Sequence, residues 1–157
     1  MQRFFRRAVP RLPPKRWASS NRAFVNTCSV AVLAVDTNLL VRLLARDDAR
    51  QAKAADQFVK PGAWVSHLVL AETLWVLESV YGRTAAQIIA ALELLLVHES
   101  LVLQDTETVG LALAQFQAKP ALGFSDCLVL EIARKAGHVP LGTFDRALAK
   151  LEGAQKL

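Results

Sequence analysis

Four acidic residues of the sequence stand where a protein could hold a divalent metal ion. Asp36, Asp126 and Asp145 are each placed where a predicted strand ends or a predicted helix begins. The fourth, Glu72, lies within the long apolar segment Leu68–Leu77. Carboxylate oxygens without a supporting histidine or cysteine cluster favour Mg²⁺ or Mn²⁺ over zinc. Such a site activates water and stabilises the charge of an in-line displacement at phosphorus.

Each aspartate also has a simpler interpretation, because aspartate is a preferred residue at the N-cap of a helix. Glu72 does not, since it falls within a helix. The residues three and four positions away on its helix face are all apolar: Leu68, Val69, Trp75 and Val76. This pattern predicts that Glu72 faces inward. A buried carboxylate is costly unless a cation balances it, so Glu72 is expected either to share a metal site with the aspartates or to pair with a distant arginine.

The elements that must position these acids alternate between strand and helix along the chain. The predicted strands are Val30–Val35, Ala63–Ser66, Leu101–Leu103 and Val139–Leu141, and the predicted helices are Leu39–Ala45, Ala49–Val59, Leu68–Tyr81, Thr84–His98, Thr106–Ala118, Ser125–Ala136 and a short one after Asp145. The alternation predicts an α/β fold with a central parallel sheet flanked by helices on both faces. The valine-rich run that precedes Asp36 is expected to be a strand buried on both faces. Because parallel strands place their carboxyl ends at one edge, the acids are expected to converge there.

Composition restricts the class of protein. The chain has 157 residues, enough for one domain with a sizeable core, and 53% of them are hydrophobic. Charges interrupt every long apolar run, so no membrane span and no membrane partner is predicted. Cys28 and Cys127 form no CxxC pair, and the three histidines have no ligand spacing. A reducing, cytoplasmic location is the expectation.

The basic charge of the chain is confined to its beginning. Residues 1–35 hold seven basic residues and no acid, whereas residues 36–157 hold twelve basic and fourteen acidic residues, a net charge of −2. Residues 1–29 also lack strand or helix periodicity, so we expect a poorly ordered arm followed by a folded domain over residues 30–157. The arm could bind nucleic acid, could be an organelle transit peptide, or could result from a start codon assigned too far upstream. The last interpretation is preferred, because the strand and helix pattern begins near Val30.

The acidic motifs resemble those of the PIN-domain nucleases, and most of all the VapC-type toxins of bacterial toxin–antitoxin pairs. The matching segments occur in the family's order and are Val35-Asp36-Thr37-Asn38, Leu70-Ala71-Glu72, Phe124-Ser125-Asp126 and Thr143-Phe144-Asp145. The resemblance covers roughly residues 30–150. It implies a Rossmann-like PIN domain that cleaves single-stranded RNA with Mg²⁺ or Mn²⁺, leaving a 5′-phosphate and a 3′-hydroxyl. It also implies a homodimer and a cognate antitoxin protein whose tail fills the acidic pocket.

Roles for individual residues follow from the same motif match. Asp36 and Asp126 would be the main metal ligands, and Glu72 and Asp145 would complete the acidic pocket. Four polar residues would orient the acids or touch a phosphate: Thr37, Asn38, Ser125 and Thr143. An acidic pocket repels RNA, so phosphate contacts must come from basic residues elsewhere. The candidates for contact with RNA or antitoxin are Arg146 and Lys150, followed by Arg42 and Arg46.

Three other functions remain open. A phosphatase of the haloacid dehalogenase type also places an aspartate after its first strand, but it needs a second aspartate two positions later, where this chain has Asn38. A PIN nuclease of RNA processing or quality control would have the same fold and chemistry. A catalytically silent PIN binding module is disfavoured by the four acids. Trp64, Trp75 and Tyr81 are expected in the core rather than as surfaces for RNA bases.

Overall fold

A computed structural model describes residues 33–157 of the chain. The predictions for residues 1–29, and for the first three residues of the predicted strand Val30–Val35, lie outside this range. The described strands are β1 (Leu33–Ala34), β2 (Ala63–Val65), β3 (Leu101–Leu103), β4 (Leu141–Thr143) and β5 (Ala154–Lys156). The described α-helices are α1 (Thr37–Ala45), α2 (Ala49–Val59), α3 (His67–Ser79), α4 (Ala85–Leu96), α5 (Thr106–Ala118) and α6 (Phe124–Lys135). Short 3₁₀ helices cover Pro120–Leu122 and Leu148–Lys150.

The strands form two parallel sheets. In the first, β2 lies between β1 and β3, and Trp64 is in register with Ala34 on one side and Val102 on the other. In the second, β4 pairs in parallel with β5. The predicted α/β class with parallel strands and flanking helices is therefore confirmed. Because β1, β2 and β3 run in the same direction, the turns that follow them lie at one edge of the first sheet.

The two faces of the first sheet differ in burial. Ala63, Val65 and Leu103 point into the core, whereas Trp64 and Val102 are exposed on the opposite face. Leu33 of β1 is exposed as well, and only Val35, just beyond the strand, is buried. The expectations that the first strand is buried on both faces and that Trp64 belongs to the core are thus wrong. Apolar composition marks a residue as able to be buried, but it does not say which face other elements cover.

The core of the described residues is built by the helices against the buried sheet face. Leu40 of α1, Leu70 of α3, Leu92 of α4 and Leu130 of α6 are each at most 1% exposed. Burying a leucine side chain contributes about 1.5–3 kcal/mol. Three of these side chains fix the helices that carry, or directly follow, a predicted acidic motif, namely α1, α3 and α6.

Most helices begin at a residue whose side chain caps them. Ser66 accepts a hydrogen bond from the backbone N–H of Val69, and Thr84 and Gln87 form a reciprocal capping box at the start of α4. The last strand pair differs most from prediction, since β4 begins at Leu141 rather than Val139. Pro140 has no N–H to give to a strand ladder, which explains the later start. β5 was not predicted.

No helix among residues 33–157 is long and apolar enough to cross a membrane.

Candidate active site

Asp36 stands at the junction of β1 and α1. It is the N-cap of α1, and its Oδ1 accepts a hydrogen bond of 2.8 Å from the backbone N–H of Leu39. The side chain is exposed, and Oδ2 has no hydrogen-bond donor among the described residues. Asp36 therefore caps the helix with one oxygen and leaves the other available to a ligand.

Glu72 is exposed, so the expectation that it faces inward is wrong. The core side of α3 is formed by Leu70, Leu74 and Leu77, and the side that carries Glu72 faces solvent. Trp75 is 61% exposed, so it does not belong to the core either. α3 is apolar nearly all round, and for this reason periodicity could not identify the side that packs.

A hydrogen bond links Glu72 to the first motif. The hydroxyl Oγ1 of Thr37 donates to Oε2 of Glu72 at 2.6 Å. Since Thr37 directly follows Asp36, this bond fixes the Glu72 carboxylate beside the turn after β1. Thr37 thus orients the carboxylate of one of the predicted acids, and its role beside a metal or a phosphate stays a prediction.

Asp126 does not cap its helix. It is the third residue of α6, whose N-cap is Gly123, and no donor among the described residues bonds to its carboxylate. Partial burial raises the pKa of Asp126, and the negative charge of Asp145 raises it further. The capping interpretation is wrong for this residue, and Asp126 and Asp145 lie close enough for their charges to repel.

The turn after β4 positions Asp145. Its Oδ1 accepts hydrogen bonds of 2.7 Å from the backbone N–H groups of Ala147 and Leu148. Its own N–H donates to Oγ1 of Thr143 at 3.0 Å. As with Asp36, one carboxylate oxygen stabilises the turn and the other has no donor among the described residues.

The structure thus groups the four acids as two associations, Asp36 with Glu72 through Thr37, and Asp126 with Asp145. Within residues 33–157 there is no group of three or more aspartate, glutamate, histidine or cysteine side chains placed to hold a metal ion together. The pocket of four acids therefore stays a prediction. Asn38 and Ser125 are exposed beside Asp36 and Asp126, respectively, and make no side-chain hydrogen bond to described residues.

A fifth acid, Asp105, follows β3 and was missed, although the strand-end rule that singled out Asp36 applies to it equally. It is the N-cap of α5, with Oδ2 accepting from the hydroxyl of Thr108 at 2.7 Å. Its Oδ1 lies 2.7 Å from Nζ of Lys135 at the end of α6. Lys135 and Thr108 lower the pKa of Asp105 to about 2. Because a lysine already balances its charge, Asp105 serves the structure rather than a metal.

The basic residues divide into paired and unpaired sets. Arg42 lies 2.6 Å from Oδ1 of Asp47, and Arg46 lies 2.8 Å from Asp56. Arg146 and Lys150 are exposed, and within the described part of the chain neither forms an ion pair. Arg146 and Lys150 therefore have no acidic partner among the described residues that would compete with a phosphate.

The donor set suits a divalent cation bound through oxygen. Asp126 has a raised pKa, a close acidic neighbour and no hydrogen-bond donor among residues 33–157. A cation at this point would remove the repulsion between Asp126 and Asp145. Hard oxygen ligands of this kind fit Mg²⁺ or Mn²⁺.

Together these features define an α/β domain with acidic residues at the ends of parallel strands. The PIN-domain family model matches residues 33–154, so the chain belongs to the PIN-domain family. This confirms the resemblance found in the motifs.

Comparison with individual proteins adds little. A crystal structure of VapC20 from Mycobacterium tuberculosis, described as a toxin that cleaves the sarcin–ricin loop, is 19% identical to this chain with a TM-score of 0.36. The alignment covers 78% of this chain and 97% of that one. No curated protein matches the sequence.

Proposed function

We propose that this PIN domain is an endoribonuclease that depends on a divalent metal ion and cleaves single-stranded RNA by attack of activated water on a phosphodiester. One observation carries the proposal. Partial burial raises the pKa of Asp126, and the negative charge of the nearby Asp145 raises it further, so two carboxylates that repel each other lie close together. Acidic residues with a perturbed pKa cluster at functional sites, because the surroundings that disfavour the ionised form in the folded protein also prepare the group for chemistry.

Asp36 and Asp126 would be the main ligands of the ion, as the motif match implies, and Glu72 and Asp145 would complete the acidic pocket. When bound, Mg²⁺ or Mn²⁺ would lower the pKa of a water molecule on the ion and would stabilise the negative charge that develops at the phosphoryl group. Thr37 fixes the Glu72 carboxylate through its 2.6 Å hydrogen bond. Groups that orient a ligating carboxylate in this way support both metal affinity and rate.

Arg146 and Lys150 would bind the phosphates on either side of the scissile bond. Arg146 lies in the turn directly after Asp145, Lys150 ends the 3₁₀ helix that follows, and neither is paired among the described residues. Thr143 holds the turn that carries Asp145. Asn38 and Ser125 would contact the metal's water or the substrate, since their side chains are exposed beside two of the acids.

The biological role that fits the motif pattern is the toxin of a toxin–antitoxin pair, acting in the cytoplasm as a homodimer and restrained by a cognate antitoxin protein. A housekeeping PIN nuclease of RNA processing would share the chemistry. Co-expression tests the difference. The chain should arrest growth, and a short neighbouring reading frame that encodes a DNA-binding antitoxin should restore it. Growth that is unaffected by the chain would favour the housekeeping role.

The chemistry is tested by cleavage of a fluorescent single-stranded RNA. Wild type should cut with Mg²⁺ or Mn²⁺ and stop with EDTA. Asp126→Asn should lower the rate by more than about 100-fold, because groups that only orient a metal ligand already cost 10–100-fold. The matched control is Asp105→Asn, the same change at an acid that pairs with Lys135, which should cut at the wild-type rate. If Asp126→Asn cuts like wild type, the proposed site is wrong.

A further inference from the structure

Phe144 occupies an unusual position beside the proposed site. It lies between Thr143 and Asp145 in the turn after β4, and it is 80% exposed, the highest value among the large apolar side chains of the described residues. A single exposed apolar side chain is common on protein surfaces, so the case for a ligand at Phe144 rests on the turn that fixes it and on its charged neighbours.

The turn presents this ring in a fixed place. Asp145, its neighbour, is anchored by the bond from its N–H to Thr143 and by the bonds that its Oδ1 accepts from Ala147 and Leu148. The backbone on either side of Phe144 is therefore held, and the ring projects from a stiff support.

The surroundings of the ring are charged. Asp145 and Arg146 follow it directly, Asp126 lies near Asp145, and Lys150 follows on the next turn. The centre of a protein interface is depleted of charged residues, so this setting favours a charged ligand over the apolar centre of a subunit interface. An aromatic ring flanked by a guanidinium that has no acidic partner among residues 33–157 suits a nucleotide, whose base stacks on the ring and whose phosphate contacts the arginine.

We propose that Phe144 is a stacking platform for one unpaired base of the substrate and positions the adjacent phosphodiester at the Asp126–Asp145 pair, with Arg146 on a neighbouring phosphate. This inference rests on the proposed nuclease function and adds a substrate-positioning residue to it. It also predicts a preference for single strands, because a base that is paired in a duplex cannot present its face to the ring.

The test combines variants of Phe144 with RNA that lacks single bases. A short single-stranded RNA is prepared with one abasic residue at each position in turn, and KM and kcat are measured with Mg²⁺. In wild type one abasic position near the cut should raise KM by roughly 5- to 100-fold, the usual worth of a stacked base. Phe144→Ala should raise KM for intact RNA by a similar factor and should be insensitive to the abasic residue at that position.

Two further variants separate stacking from bulk and from general damage. Phe144→Trp should restore both the KM and the abasic sensitivity, whereas Phe144→Leu, which is apolar but not aromatic, should behave like Phe144→Ala. Val97→Ala alters an apolar residue that is 76% exposed at the end of α4, away from the strand ends that carry the acids, and should match wild type.

The outcomes decide between the inference and its alternatives. If Phe144→Ala keeps the wild-type KM, or keeps the abasic penalty, the stacking role is overturned while the nuclease function stands. If sedimentation shows that Phe144→Ala dissociates an oligomer without changing abasic sensitivity, the ring is a subunit contact instead. If wild type neither binds nor cuts RNA, the proposed function and this inference fall together.

Discussion

At the scale of single residues, Asp126 and Asp105 show how the same side chain can stand in opposite electrostatic states. The pKa of Asp105 is lowered to about 2 because Lys135 and Thr108 stabilise its ionised form. The pKa of Asp126 is raised because partial burial and Asp145 disfavour its ionised form. Ionised Asp105 thus stabilises the fold at neutral pH, and ionised Asp126 opposes it.

This contrast predicts that Asp126→Asn, the variant expected to lose activity, is no less stable than wild type. A raised pKa in the folded state means that ionisation costs stability at every pH above that pKa. Removing the charge should therefore increase the free energy of unfolding at pH 7, by up to about 0.5 kcal/mol for a surface group. Urea denaturation in the presence of EDTA measures it. A clear loss of stability in Asp126→Asn would show that the carboxylate has a structural partner.

Residue types in motifs were predictable from sequence, but their surroundings were only partly so. The sequence predicts each aspartate to be either a cap or a ligand, and Asp36 shows that a residue can cap with Oδ1 while its Oδ2 has no donor among the described residues. The burial of Glu72 was mispredicted, since its apolar neighbours Leu68 and Trp75 are themselves exposed. The spacing of apolar residues shows which residues share a helix face. Whether that face is buried depends on which elements, distant in sequence, pack against it.

At the scale of elements, helix and strand positions followed closely from local signals. The bounds of α2, β3 and α5 agree with prediction, because a capping aspartate or a proline stands at one end of each helix. β5 was missed since its residues, Ala154–Lys156, lack the β-branched and aromatic side chains typical of strands. Its pairing with β4 arises from tertiary structure.

The ends of α5 and α6 are joined by Lys135, which lies 2.7 Å from Asp105 and 3.2 Å from Glu107. The two helices also meet through Glu131, which is 5% exposed and accepts from Arg134 at 2.6 Å and from Gln115. These contacts hold the far end of the helix that carries Asp126. The hairpin of α5 and α6 therefore supports the proposed site from a distance.

This connection predicts a dependence of stability on pH. The pKa of Asp105 falls from 3.8 to about 2 on folding, so its stabilisation is complete above pH 4 and is lost as pH falls toward 2. Asp105→Asn should lower the free energy of unfolding at pH 7 by about 0.5–1 kcal/mol, the range for a largely exposed ion pair. The difference in the free energy of unfolding between Asp105→Asn and wild type should become smaller as the pH falls from 4 to 2.5.

Asparagine is the appropriate replacement because it tolerates the positive φ of 50° at this position and can still cap a helix. Urea denaturation at several pH values measures the difference. In a Lys135→Met background the effect of Asp105→Asn should shrink, because the partner is gone. If the difference in the free energy of unfolding between Asp105→Asn and wild type is the same at pH 7 and pH 3, the charge of Asp105 does not stabilise the fold.

At the scale of the whole molecule, the charge of the sequence is divided between its two parts. The mildly acidic residues 36–157 contain all four proposed metal ligands, and seven basic residues precede them without any acid. The buried apolar core of the described residues extends from Val35 to Leu148. This distribution places the proposed metal ligands in the described part of the chain and the acid-free basic segment before it.

We therefore expect a chain of residues 30–157 to keep the urea midpoint of the full chain and its rate of RNA cleavage at saturating substrate.

The dependence of KM on salt concentration then identifies the role of the basic arm, residues 1–29. Each phosphate contact on a single strand contributes about 0.7 to the slope of log affinity against log salt. Equal slopes for the two chains would indicate that the arm takes no part in binding RNA. A slope that falls on truncation, and falls equally when the seven basic residues of the full chain are changed to glutamine, would show that the arm binds RNA through charge. Since Arg146 and Lys150 are present in both chains, the slope that remains measures the phosphate contacts of the PIN domain itself.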